Sequence, residues 1–143
     1  MEGPDDPIRI LHIEDDVEFA DIVSTFLERE LDRGTVLTAG SAAEGLDRLA
    51  ETPVDCVISD YDMPDQNGID FLTEVRDRYP TLPFFLFTGK GSEEVASQAI
   101  SKGVTDYMQK SVGTEQFEIL ANRIGNAVAK YRIEADLRES EER

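Results

Sequence analysis

The sequence is short of several things, and each shortage excludes something. With one cysteine, Cys56, in 143 residues, no internal disulfide can form. The opening MEGPDDPIRI has neither the cationic nor the apolar region of a secretory leader, so a cytoplasmic protein is expected. No apolar run approaches the roughly 20 residues of a spanning helix; the longest is the PFFLF around Phe84 to Phe87. Basic residues are scarce, with 14 Lys+Arg against 31 Asp+Glu and a formal charge of −17. So acidic a surface repels phosphate backbones and anionic lipid, which argues against nucleic-acid or membrane docking and for basic or neutral partners. Only Lys90, Lys102, Lys110 and Lys130 are lysines, the other basic residues being arginines. Arginine over lysine with excess acid is a salt-adapted, halophilic composition, whose self-repulsion salt relieves.

What is present suffices for one folded domain, since 40% of residues are hydrophobic. Apolar runs alternate with segments of helical period. Ile8, Ile10, Leu11 and Ile13 form a buried strand ending in Glu14-Asp15-Asp16. Phe19, Ile22, Val23, Phe26 and Leu27 mark a helix closing near Gly34. Val36 to Ala39 is a second strand, and Ser41 with Glu44 opens a helix through Ala50 as a capping box. Val54 to Ser59 is a third strand, ending at Asp60. A turn-rich loop to Gly68 leads into a helix carrying Ile69, Phe71, Leu72 and Val75. Phe84 to Phe87 is strand four, ending at Thr88. Ser92 caps a helix that stops at Gly103. Strand five runs from Val104 to Gln109 with Lys110 at its end, and Thr114 opens the last helix. Strict alternation predicts right-handed βαβ units and an α/β fold with a parallel sheet covered on both faces.

In such sheets ligands bind outside the carboxyl ends of the strands. There the sequence places Glu14, Asp15, Asp60, Thr88 and Lys110 together. Clustered carboxylates resist ionising unless a cation joins them, and hard oxygen donors suit Mg²⁺. A carboxylate can act as nucleophile toward phosphorus, and Asp60 on the central strand is best placed, with Lys110 and Thr88 to meet phosphoryl oxygens.

At these residues the chain resembles the receiver domain of response regulators in two-component signalling. The resemblance covers residues 7 to about 128. It rests on the acidic pair after strand one, Asp60 followed by Met63-Pro64 and Gly68, Thr88 after strand four, and Tyr107 and Lys110 on strand five. It implies a flavodoxin-like, doubly wound (βα)5 sheet of order 2-1-3-4-5. It further implies Asp60 as phosphoacceptor, Mg²⁺ held by Glu14, Asp15, Asp60 and the backbone carbonyl of Asp62, and Thr88 with Lys110 on the phosphoryl group. Thr88 and Tyr107 become the switch pair that reshapes the face of helix four, strand five and helix five. Asp16 is the ambiguous third acid, expected to face the loop. The implied partner is a sensor histidine kinase or phosphotransfer protein, and the protein is a signalling phosphoacceptor rather than a turnover enzyme.

Two departures stand out. The family's lysine usually precedes a proline in a cis peptide; here Ser111 follows Lys110, and a trans bond is expected. Lys90 adds an ammonium near Asp62, and a Lys90–Asp62 pair across the pocket mouth is expected to restrict hydrolytic water. His12 and Cys56, on buried strands, read as packed residues outside the site. Residues 1–6 form an acidic tail and 129–143 a polar helical extension. In isolation that extension reads as a solvated, fraying helix. Its Leu137 to Arg143 run resembles the lead into sensory PAS domains, which implies a further C-terminal sensory or output domain and a dimeric coiled coil. Two other readings stand beside this one. A pseudo-receiver would only bind partners. A haloacid-dehalogenase-type phosphatase would match Asp60-Tyr61-Asp62, but its nucleophile belongs on the first strand.

Overall fold

The computed structural model describes residues 6–89 and 92–141. In chain order these form β1 (Arg9–Ile13), α1 (Val17–Glu30), β2 (Thr35–Ala39), α2 (Ala42–Glu51), β3 (Cys56–Ser59), α3 (Gly68–Arg78), β4 (Phe84–Thr88), α4 (Glu93–Ser101), β5 (Asp106–Gln109) and α5 (Glu115–Glu141). All strand pairs are parallel and the order is β2-β1-β3-β4-β5, the flavodoxin-like arrangement. Strand order reverses between β1 and β3, so a crevice opens beyond their carboxyl ends.

The two-residue period of a strand sorts the core. From β1, Leu11 and Ile13 face a core built with α2, α3 and α4. Ile10 faces the other way, with Ile58, Phe85 and Phe87, against α1 and α5. By the same alternation His12 and Glu14 follow Ile10 toward the α1/α5 side. Helix starts are fixed by side-chain caps: Asp16, Ser41, Asn67 and Ser92 accept from the backbone N–H of Phe19, Glu44, Asp70 and Val95.

Two strands begin later than their apolar runs. At the entry to β3, the Asp55 N–H donates to Arg9 O, but the Arg9 N–H goes to the Asp55 carboxylate, so a side chain replaces one half of that pairing. At the entry to β5, Val104 N–H closes α4 on Ala99 O, and Thr105 Oγ1 accepts the Phe84 N–H.

The larger difference is at the end of α5, which runs unbroken for 27 residues. Rather than leaving the domain for solvent, it lies along the N-terminal edge of the sheet. Arg132, 7% exposed, donates to Asp55 Oδ2 at 3.1 Å and to the carbonyls of Asp6 and Pro7. Arg138 reaches Thr81 Oγ1. The buried Asp55 carboxylate requires counter-charge, and α5 supplies the closer of two cations, Arg9 Nε lying 3.4 Å from the same oxygen. Ile133 and Leu137 remain exposed on the outer face.

Candidate functional site

Three strand ends converge at the crevice. Glu14, directly after β1, is buried while Asp15 is exposed. Asp60, directly after β3, is fixed by its N–H to Ile13 O and by the Tyr61 N–H, which donates to Oδ1 at 2.7 Å. Lys110, directly after β5, gives its backbone N–H to Thr88 O at 2.8 Å. Its ammonium crosses the crevice to Glu14 Oε1 at 2.7 Å and Asp60 Oδ2 at 3.1 Å, and lies 4.4 Å from the centre of the Phe19 ring.

One carboxylate oxygen from each of Glu14, Asp15 and Asp60 lies within 4.8 Å of the other two. Three hard oxygen donors converging at one edge fit a divalent cation such as Mg²⁺. Asp16 takes no part in this cluster. Its side chain caps α1 through the Phe19 N–H, and its own N–H donates to Glu14 Oε2. The clustered acids are thus Glu14, Asp15 and Asp60, and Asp16 starts the helix.

The electrostatics follow from burial against pairing. Desolvation raises the Glu14 pKa, opposed by the hydrogen bond and charge of Lys110. Desolvation works against the Lys110 ammonium, but the Glu14 hydrogen bond and the Asp60 and Glu14 charges outweigh it and raise its pKa. His12 lies in the layer below. Burial, with Lys110 adding to it, lowers its pKa from 6.5 to about 3, so the ring is neutral. Its Nδ1 has no hydrogen-bond partner among the described residues.

Thr88 is fully buried at the end of β4. Tyr107, paired with Leu86, packs its ring against the α2/α3/α4 core, and its hydroxyl is buried without a hydrogen-bond partner among the described residues. Asp62 is exposed in the β3–α3 loop. Lys90, and with it the expected Lys90–Asp62 pair, lies outside the described residues. No cis peptide occurs among the described residues, so Lys110–Ser111 is trans.

Three supporting residues escape the sequence pattern. Phe19 reads there only as a core-facing helical residue, yet it floors the Lys110 ammonium. Asp65 ties the β3–α3 loop to the start of α2, its carboxylate accepting from Ala42 and Ala43 N–H at 3.1 and 2.9 Å; an Asp in a turn was the available signal. Gln116, 7% exposed, bonds the backbone of the β5–α5 loop, and nothing in sequence marks it. Gly68 carries a tight approach, since a Cβ there would lie 2.3 Å from Asp60 O. α3 therefore abuts the acidic strand end itself.

Residues 10–122 match the family model described as the response regulator receiver domain. The chain belongs to the response regulator receiver domain family. A response regulator receiver domain from Clostridium thermocellum superposes with a TM-score of 0.78 at 30% identity, covering 88% of this chain and 98% of that one. A CheY-like receiver domain from Methanospirillum hungatei gives 0.81 at 25% identity, covering 90% and 99%. A putative response regulator, NtrX-like, from Rickettsia bellii is 29% identical over 133 residues, which is 92% of this chain. This receiver domain spans 27% of that relative's length. No helix among the described residues is long and apolar enough to cross a membrane.

Proposed function

We propose that this receiver domain accepts a phosphoryl group on Asp60 from a histidine kinase or phosphotransfer protein. The observation that carries the reading is Lys110 Nζ bridging Glu14 and Asp60 across the crevice. A half-buried ammonium beside a strand-end carboxylate, with two further acids in reach, is an arrangement for neutralising charge at phosphorus. An Asp60 carboxylate oxygen attacks phosphorus, the bond from phosphorus to the donor's imidazole nitrogen breaks, and that nitrogen leaves with the electron pair. Lys110 and the Thr88 hydroxyl meet the phosphoryl oxygens. Glu14, Asp15, Asp60 and the Asp62 backbone carbonyl would hold Mg²⁺, which supplies charge neutralisation when bound. Asp65 keeps the Asp62 loop against α2.

Output follows from Thr88 and Tyr107 repacking the β4–α4–β5–α5 face. The buried Tyr107 hydroxyl, without a partner among the described residues, supports this, because such a donor gains by finding a partner elsewhere. Residues 129–143 serve as the connection to a sensory or output module, and a second receiver is the partner for dimerisation. The setting is the cytoplasm.

Intact-mass measurement after incubation with acetyl phosphate and Mg²⁺ in high salt tests the reading, beside Asp60→Asn. The expected result is one phosphoryl group on the wild type and none on the variant. A folded, Mg²⁺-binding wild type that takes up nothing overturns it, and leaves a pseudo-receiver that binds partners without accepting phosphate.

A further inference from the structure

Lys110 stands at the start of a surface loop whose next four residues, Ser111 to Thr114, are all exposed. Such a loop would ordinarily leave the lysine free to wander. Its conformation is instead set by one buried side chain from the first turn of α5. The Gln116 Oε1 accepts the Ser111 N–H at 2.9 Å. Its Nε2 donates to the carbonyl oxygens of Ser111 and, at 2.8 Å, of Gly113. Both amide hydrogens and one oxygen lone pair are thus used on three backbone groups. Gly113 completes the bend with φ of +95°, where a side chain would be strained.

We infer that Gln116 is the positioning residue for Lys110: its buried amide clasps the Ser111–Gly113 backbone and so aims the ammonium at the phosphoryl site. The lysine's backbone is bracketed. Its own N–H is held by Thr88 O, and both polar groups of the next residue are held by Gln116. The pairing is specific to a residue with an N–H at position 111. A proline there would have none to give, and a carboxylate or hydrocarbon at 116 would lose both donations. Gln116 touches no reacting atom and acts through the lysine alone. The carboxylate oxygens that would hold a cation come from residues after β1 and β3, so losing the clasp removes no cation ligand and only frees oxygens that Lys110 now shares.

The inference rests on the phosphoacceptor reading, and the experiment separates the two. Wild type and Gln116→Met, which keeps the length and loses the polar groups, are compared for phosphorylation rate with acetyl phosphate and for Mg²⁺ affinity by calorimetry. We expect uptake to fall about tenfold, as for a displaced catalytic group, with no fall in Mg²⁺ affinity. Gln116→Glu, which keeps the acceptor and loses both donors, is assayed alongside and decides the matter if the Met variant does not fold. Equal uptake by wild type and variants overturns the inference alone. A parallel loss of uptake and Mg²⁺ affinity overturns it too, since that is general loosening. No uptake by a folded, Mg²⁺-binding wild type removes the acceptor reading and the inference with it.

Discussion

Lys110 is the residue on which most of the site's charge balance turns. In the state described here its ammonium sits between Glu14 and Asp60, serving as their counter-ion. A divalent cation entering the same oxygens must share them with it. Lys110→Ala is therefore expected to bind Mg²⁺ more tightly, by about tenfold, because one competing charge is gone. The same change should slow phosphoryl uptake by about two to three orders of magnitude, the usual cost of losing a donor to a developing oxyanion. Calorimetry and intact-mass kinetics read the two effects, and a fall in Mg²⁺ affinity would contradict the counter-ion account. His12 makes a second residue-level prediction. Its folded pKa lies below its unfolded 6.5, at about 3, so the unfolded chain binds the proton first. The stabilisation is complete above pH 6.5 and is lost as pH falls toward 3, on the order of a few kcal/mol over the full window. Glu14, with its pKa raised, acts in the opposite sense near its own titration. Urea unfolding at pH 7 and pH 5 should show a stability drop in wild type that His12→Leu largely removes.

Among the elements, α3 and α5 show where sequence pattern succeeded and where it stopped. The Gly68 position was legible as the end of a turn-rich loop, but the reason for glycine is tertiary. A methyl there would meet Asp60 O at 2.3 Å and Leu86 Cδ1 at 2.8 Å, so Gly68→Ala should cost about 2 kcal/mol or more in a denaturant titration. Along α5 the apolar stripe Leu120, Ile124, Val128 continues at the next four-residue step with Arg132. A cation on the buried face of a helix signals a buried acid elsewhere, yet spacing does not say which, and the polar run after Ile133 favoured a solvated end. Asp55, remote in sequence, decides it. Arg132→Ala should destabilise the domain by about 2 kcal/mol, since Asp55 keeps Arg9 but loses its closer cation, and the Asp6 and Pro7 carbonyls lose their donor. Amide exchange should then speed from about residue 130 onward. Unchanged exchange in that segment would show that Arg132 does not anchor it. The strands start at Cys56 and Asp106, later than the apolar pattern predicts, for a related reason: at Asp55 and Thr105 a side chain accepts one of the two bonds that pattern assigns to the backbone ladder.

At the scale of the molecule, the fold and the residues of the acidic edge were readable because both depend on order along the chain: alternating elements, and polar residues where strands stop. The supports of that edge were not readable, because Phe19, Asp65 and Gln116 act through contacts with segments that sequence order leaves unspecified. The global charge was legible and carries its own prediction. A surface at −17 repels itself over a Debye length of about 10 Å at 0.1 M salt, shrinking to about 3 Å at 1 M. The melting temperature should rise by several degrees, roughly 5 °C or more, between 0.1 and 2 M KCl as that repulsion is screened. A flat response would show that the acids are already balanced locally. The long last helix also ties distant parts of this surface together. Gln116 fastens it beside the acidic crevice, and Arg132, sixteen residues on and about 24 Å along the helix axis, fastens it to the opposite rim of the sheet. A rod fixed at both poles of a domain is a tie bar. Any tilt given to it at the crevice is delivered at the far pole, and the sheet between need not change shape.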